Sequence, residues 1–195
     1  MTEEHFIFPL GTVLFPGAAL PLKIFEQRYL EMTKTCLRDN RPFGVCLIRE
    51  GREVGDPALP EAIGCLATIE EWDMPQMGLF QLLARGGDRF RLVDSRVAKN
   101  GLISGVIERL AADPPGDAVD ATCREILELI MQRTDVSSFE TPARLDDASW
   151  VGFRLAEVLP LDARLKQELL EMDDASKRLT RIRDALFEEG LIGRA

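Results

Sequence analysis

The chain has 195 residues, of which 46% are hydrophobic and 29% are charged, and its formal net charge is -9. This length suffices for one large core or two smaller subdomains, and the composition argues against disordered and fibrous classes. The acidic surplus argues against nucleic acid and against anionic membrane surfaces as partners. Because no apolar run is long enough to span a bilayer and the acidic start is unlike a signal peptide, we expect a cytoplasmic protein.

The first half of the sequence predicts short strands that are separated by Gly, Pro, Asp or Asn turn signals. One helix is predicted over residues 26–38, because apolar residues recur there at helical spacing on one face. Several strands at this spacing indicate a barrel-like or sandwich-like sheet. The predicted strands are residues 6–8, 13–15, 43–49, 63–72, 78–84, 89–97 and 102–110.

A break at residues 111–117 contains two prolines and a glycine, which end any strand or helix there. Beyond it the apolar period changes to about 3.6, which is typical of amphipathic helices. We therefore predict an α+β fold, with a β-rich subdomain that includes one helix over residues 1–112 and a helical subdomain over residues 113–195. The helical part contains about four helices, the third capped by Asp162 and the fourth capped within residues 173–176.

Motifs for catalysis are missing from the sequence. It contains no GxxxxGK[ST] phosphate loop, no GxGxxG and no HExxH. The only histidine, His5, falls in a terminus that we expect to fray, where it is unsuited to a Ser-His-Asp triad. The cysteines form no CxxC pair and lie in apolar patterns, which favours reduced core thiols over a metal site: Cys36, Cys46, Cys65 and Cys123. We predict no enzyme activity, no cofactor and no metal.

Two segments near the N-terminus carry a distinctive pattern: residues 8–17 read FPLGTVLFPG and residues 20–29 read LPLKIFEQRY. The pattern closely resembles the opening of the Lon protease N-terminal (substrate-binding) domain family. Further landmarks follow in the same order as in that family, namely FGVCLI at residues 43–48, IGCLA at residues 63–67 and GDRFRL at residues 87–92. The resemblance covers nearly the whole chain, from residue 6 to about residue 190.

This resemblance implies a β-rich subdomain followed by a helical subdomain, and a role in capturing unfolded or tagged proteins. In full-length Lon the domain precedes an ATPase and a protease domain. We expect this chain to be a stand-alone form without ATPase or protease, so that recognition is the part of the family's activity that carries over.

The first candidate contact region for protein segments is a Pro/Gly turn flanked by large apolar side chains. Methionine and tryptophan on a surface turn are suited to adaptable protein contacts. The alternative is that the turn folds back onto its own core. The residues concerned are Trp72, Met74, Met77 and Phe80.

The second candidate region lies within the LPLKIFEQRY segment, where side chains border a groove. The alternative is a purely structural role, with the Glu26 charge complementing a helix dipole and Arg28 pairing with that acid. The candidate residues here are Phe25, Glu26, Arg28 and Tyr29.

The leading interpretation is a protein- or peptide-binding module. Its expected partners are unfolded or hydrophobic protein segments and a protease system, with neither nucleic acid nor membrane. Two alternatives stay open from sequence: a small-molecule enzyme or sensor with a site between the sheet and the helices, and a structural subunit of an assembly.

Overall fold

The computed structural model describes residues 2–114, 118–133, 139 and 142–191. The chain divides into two compact units, Met1–Leu110 and Ala111–Ala195, a boundary two residues before the one placed from sequence. The first unit holds six strands and one helix, and the second holds four helices among the described residues. The α+β fold class expected from the sequence is confirmed.

The first unit is built on one six-stranded mixed sheet in the order β2-β5-β4-β3-β1-β6, with β6 also pairing with β5. That last pairing closes β1, β3, β4, β5 and β6 into a barrel. The β1–β3 pair is parallel and the other pairs are antiparallel. The strands are β1 (Thr2–Leu10), β2 (Ala19–Ile24), β3 (Phe43–Glu50), β4 (Leu59–Gln76), β5 (Leu79–Val97) and β6 (Ile103–Arg109), and helix α1 (Gln27–Asp39) follows β2.

Strand β5 makes the closure possible because it is long enough to serve two neighbours on one side. Residues 80–85 pair with β2, and residues 90–97 pair with β6. At Gly86, between these halves, an added methyl group would overlap the carbonyl oxygen of Phe15. The barrel interior is filled by Ile7, Cys46, Leu66, Phe90, Ile103 and Ile107.

The structure corrects three of the predicted strands. Residues 13–15 are buried but lie in a loop, and the strand of this region is β2. The sequence hides β2 because Pro21 interrupts it, yet proline is tolerated on an edge strand. The predicted strands 78–84 and 89–97 are one continuous strand, since Gly86 is held in line by hydrogen bonds to the backbone at Gly17 and Ala18.

From Thr2 onward the N-terminal segment is a paired strand, contrary to the fraying expected from sequence. Strand β1 pairs with β6 from Thr2 onward and continues through Pro9 alongside β3. His5 is therefore buried, and its Nδ1 lies 3.1 Å from the carbonyl oxygen of Pro42.

The second unit consists of α2 (Ala121–Arg133), α3 (Ala148–Val158), α4 (Ala163–Glu171) and α5 (Ala175–Glu188), with α3 packed against the other three helices. Aspartate carboxylates cap the last three helices by accepting backbone N–H groups. Asp162 caps α4 as predicted, and Asp174 provides the cap predicted within residues 173–176. None of the described helices is long and apolar enough to cross a membrane.

Candidate functional site

Strands β4 and β5 form a hairpin arm, to which β2 adds a third strand. The arm turns at Met77 and Gly78, and the positive φ of Gly78 (83°) suits a residue without a side chain. Because paired residues share a face of a sheet, the register defines two faces. The inner face carries Leu20, Leu22 and Ile24 opposite Ala84, Leu82 and Phe80, and the outer face carries Pro21 and Lys23 opposite Leu83 and Gln81.

The first candidate group lies along this arm, but its members differ in exposure. Met77 is 97% exposed at the turn, so it does not fold back onto the core. Met74 lies within β4 rather than on the loop, and half of its surface is exposed. The Trp72 ring, 56% exposed, stands edge-on to Phe80 with 5.8 Å between ring centroids, and Phe80 beneath it is 5% exposed. Phe80 thus supports the surface instead of forming it.

The second candidate group follows β2 directly. Phe25 is 57% exposed, whereas Arg28 and Tyr29 are buried. Glu26 is the N-cap of α1, but its carboxylate pairs with Arg28 at 2.9 Å instead of capping the helix. The Arg28 guanidinium also lies 4.7 Å from the Tyr29 ring centroid, and its Nη1 donates to the carbonyl oxygen of Gly101 at 3.4 Å. Glu26, Arg28 and Tyr29 are thus linked to one another through the Arg28 guanidinium, next to the exposed Phe25 in the sequence.

A hollow of about 290 Å³, which we call the edge hollow, runs beside β2. It is lined by every β2 residue from Leu20 to Ile24. Since successive residues of a strand point to opposite faces, a hollow touched by five in a row follows the strand's edge rather than one face. The opposite walls and rim are formed by Phe8, Leu10, Thr12, Phe25, Glu26, Tyr29, Glu53 and Val54.

A second, shallower hollow of about 590 Å³ lies along the arm, and we call it the outer hollow because most of its lining residues belong to the outer face. Its lining combines apolar side chains with two carboxylates, Glu71 and Asp73, and one ammonium group, Lys23. The remaining lining residues are Pro21, Leu22, Trp72, Gln81, Leu82 and Leu83.

The two hollows share Pro21, Leu22 and Lys23, so the two candidate groups adjoin a common strand. Sequence reasoning missed these three residues as site candidates. The available signal was the LPLK segment itself, in which a proline between two leucines is typical of an edge strand.

Two ionisable groups beside the hollows, Tyr29 and Glu70, have defined electrostatic surroundings. Burial raises the pKa of the Tyr29 phenol, although the Arg28 charge acts in the opposite direction. Glu70, next to the outer hollow, pairs with Arg85 at 3.0 Å. Within the part of the chain that the structure describes, no group of three or more His, Cys, Asp or Glu side chains is placed to hold a metal ion.

Curated relatives of the chain are Lon proteases. The chain is 28% identical over 194 residues to Lon protease of Paraburkholderia phytofirmans, covering 94% of this chain and 24% of the relative. It is 30% identical over 194 residues to Lon protease of Koribacter versatilis, covering 91% of this chain and 23% of the relative. The chain thus spans about a quarter of the length of these relatives.

Solved structures show the same fold. A Lon N-terminal domain protein from Xanthomonas campestris is 36% identical, with a TM-score of 0.78 over 93% of this chain and 98% of that one. The N-terminal domain of Mycobacterium avium complex Lon protease, 17% identical, shares the fold with a TM-score of 0.68 over 93% of this chain and 97% of that one.

The family described as the ATP-dependent protease La (LON) substrate-binding domain matches residues 4–187. That range includes both strand-rich and helical units, and the resemblance read from the N-terminal motifs is confirmed. The chain belongs to the family of LON substrate-binding domains.

Proposed function

We propose that this chain is a substrate-recognition module that binds unfolded or hydrophobic protein segments on behalf of a proteolytic system, without ATPase or peptidase activity of its own. Membership in the substrate-binding domain family supports the recognition role. We place the protein in the cytoplasm, where its four free, buried cysteines stay reduced.

The observation that carries the proposal is the concentration of exposed apolar side chains next to the two hollows. Phe25 adjoins the edge hollow, and Trp72, whose ring lies against Phe80 on the inner face, borders the outer hollow; each has more than half of its surface exposed. Met74 and Met77 extend the apolar surface along the arm. Large apolar side chains grouped on a surface are typical of interaction sites, and methionine repacks against varied sequences.

The test is a double substitution, Met74→Ser with Met77→Ser, in an anisotropy assay with a library of peptides from unfolded proteins. Binding should weaken several-fold, because exposed thioethers lose their contacts with the peptide. The melting temperature should stay nearly constant, since Met77 is almost wholly exposed and Met74 half exposed.

The matched control is Val93→Ser with Val97→Ser. These residues lie in the other half of β5 and are both 57% exposed, so the control removes exposed apolar surface away from the hollows. Equal loss of binding in the two variants would refute a site on the arm. Purified protein that hydrolyses ATP or casein would refute the non-catalytic part of the proposal.

A further inference from the structure

We infer that a client segment binds as an added β-strand along the open edge of β2, with its backbone paired to β2 and every second side chain in the edge hollow. This inference rests on the proposed function and names the substrate class: extended segments with apolar residues at alternate positions. Such alternation is typical of half-buried β-strands, which become exposed when a protein unfolds.

The first support is the free edge itself. Among the described strands, β2 pairs with β5 alone. An unpaired strand edge presents a row of backbone N–H and C=O groups, which is a template for another extended chain. In the described part of the chain, the neighbour of this edge is the edge hollow instead of a further strand.

The second support is the direction of the backbone groups on β2. The carbonyl oxygen of Ala18 accepts the N–H of Gly86 on β5, so the Ala18 carbonyl points toward β5. Backbone groups alternate in direction along a strand, so the N–H and C=O groups of Leu20, Leu22 and Ile24 also point to β5. The intervening residues, Ala19, Pro21 and Lys23, therefore direct their backbone groups to the open edge.

Proline at position 21 fits this assignment. Its missing N–H falls in the outward set, so no hydrogen bond of the β2–β5 pair is lost. The open edge consequently offers two donors, at Ala19 and Lys23, and three carbonyl acceptors. Proline also interrupts the donor row, which limits long edge-to-edge pairing between copies while leaving short peptides room to pair.

The third support is the chemistry of the walls. A paired strand lies about 4.8 Å from its neighbour, which places a peptide on β2 within the edge hollow. Its side chains on the inner side would meet the apolar wall of Phe8, Leu10 and Tyr29. Those on the outer side would lie beside Pro21 and Lys23, toward solvent. The site thus favours apolar residues at every second position and tolerates polar ones between them.

The probe is a fluorescein-labelled nonapeptide that alternates valine with lysine, compared with an isomer that has the same composition in two blocks. The alternating peptide should bind more tightly. Two further versions carry N-methyl groups on either the valine or the lysine nitrogens. When the peptide is bound as a strand, the N–H groups of only one residue type, valine or lysine, face β2. N-methylation of that set should therefore lower the affinity about tenfold or more, whereas N-methylation of the other set should leave the affinity nearly unchanged.

Amide hydrogen exchange gives a second readout that requires no substitution. Saturating peptide should slow exchange at the N–H groups of Ala19 and Lys23, whereas those of Leu20 and Leu22 already pair with β5 and should change little. The exposed residue Val93, outside the site, serves as the control.

The outcomes separate this inference from the proposed function. If both N-methyl versions bind equally and Ala19 and Lys23 gain no protection, strand addition is overturned while apolar recognition stands. If neither the nonapeptides nor the unfolded-protein library binds the intact chain, the proposed function fails and strand addition fails with it.

Discussion

Arg178 and Asp113 form an ion pair with 2.6 Å between Nη1 and Oδ2, and their side chains are only 0% and 1% exposed. The remaining guanidinium donors are also used, with Nε donating to the carbonyl oxygen of Leu169 at 2.9 Å and Nη2 donating to that of Met172. The guanidinium lies 3.9 Å from the ring centroid of Phe153. One arginine on α5 thereby ties the segment before α2 to α3 and to the end of α4.

Asp113→Ala should lower the free energy of unfolding by about 3–5 kcal/mol, because it leaves the Arg178 charge buried without its counter-ion. Urea denaturation measures the change. The matched control is Lys177→Ala, which breaks an exposed pair with Asp174 and should cost at most about 1 kcal/mol. A double variant, Asp113→Leu with Arg178→Met, should be less destabilised than Asp113→Ala. Equal stabilities of Asp113→Ala and the parent would contradict the assigned role of the pair.

The four thiols should react slowly in the native protein. All four cysteines are free and buried, and burial raises the pKa of Cys36 to about 11 and that of Cys123 to about 12. The thiolate, which is the reactive form, is therefore scarce at neutral pH. Titration with a disulfide reagent should show four thiols quickly in denaturant and few in native buffer. Four fast native thiols would count against this packing.

The sequence was most informative where a local pattern determines the local structure. Helix α1 was predicted over residues 26–38 and runs over Gln27–Asp39, because its apolar face repeats at helical spacing. Asp162 caps α4, since capping depends on a residue and the turn that follows it.

Long-range pairing was beyond local reasoning. Whether an apolar segment becomes a strand depends on its partners, so residues 13–15 were predicted as a strand whereas β2 was not predicted. Arg178 and Asp113 are far apart in the chain, and no local pattern links them. The candidate residues Trp72, Met77 and Phe25 are exposed, but Phe80 and Tyr29, which looked equivalent in the sequence, are buried by their neighbours in the fold.

Stability should depend on pH through Glu3. Hydrogen bonds from Arg109 and His5 lower the pKa of this carboxyl from 4.5 to about 2. A depressed pKa in the folded state means that the stabilisation is fully present above the unfolded value and is lost as the pH falls from about 4.5 toward 2. The stability difference between the parent and Glu3→Gln should therefore be largest near neutral pH and should disappear near pH 2.

Arg109→Gln provides the check on the cause of this effect. This substitution removes the largest contribution to the lowered pKa of Glu3. In the Arg109→Gln background, the effect of Glu3→Gln on the free energy of unfolding should therefore depend less on pH. The measurement is the urea denaturation midpoint of each variant at several pH values. A difference that stays constant across the acid range would show that Glu3 acts through packing rather than through its charge.

The salt dependence of peptide binding should differ with the charge of the peptide. The exposed Phe25 and Trp72 rings bind through apolar burial, which sodium chloride screens little, so the dissociation constant of an uncharged apolar peptide should change less than about twofold between ~0.05 and ~0.5 M salt. The affinity for a lysine-containing peptide should fall over the same range, because the chain carries a net charge of -9 and the outer hollow is lined by Glu71 and Asp73.

A pair of charge-removing variants tests this assignment. Glu71→Gln with Asp73→Asn should reduce the salt dependence of lysine-peptide binding. Asp94→Asn with Glu108→Gln, on the exposed surface outside the hollows, should leave most of it. If instead the uncharged peptide loses most of its affinity in salt, charge rather than apolar surface governs recognition and the assignment to Phe25 and Trp72 is wrong.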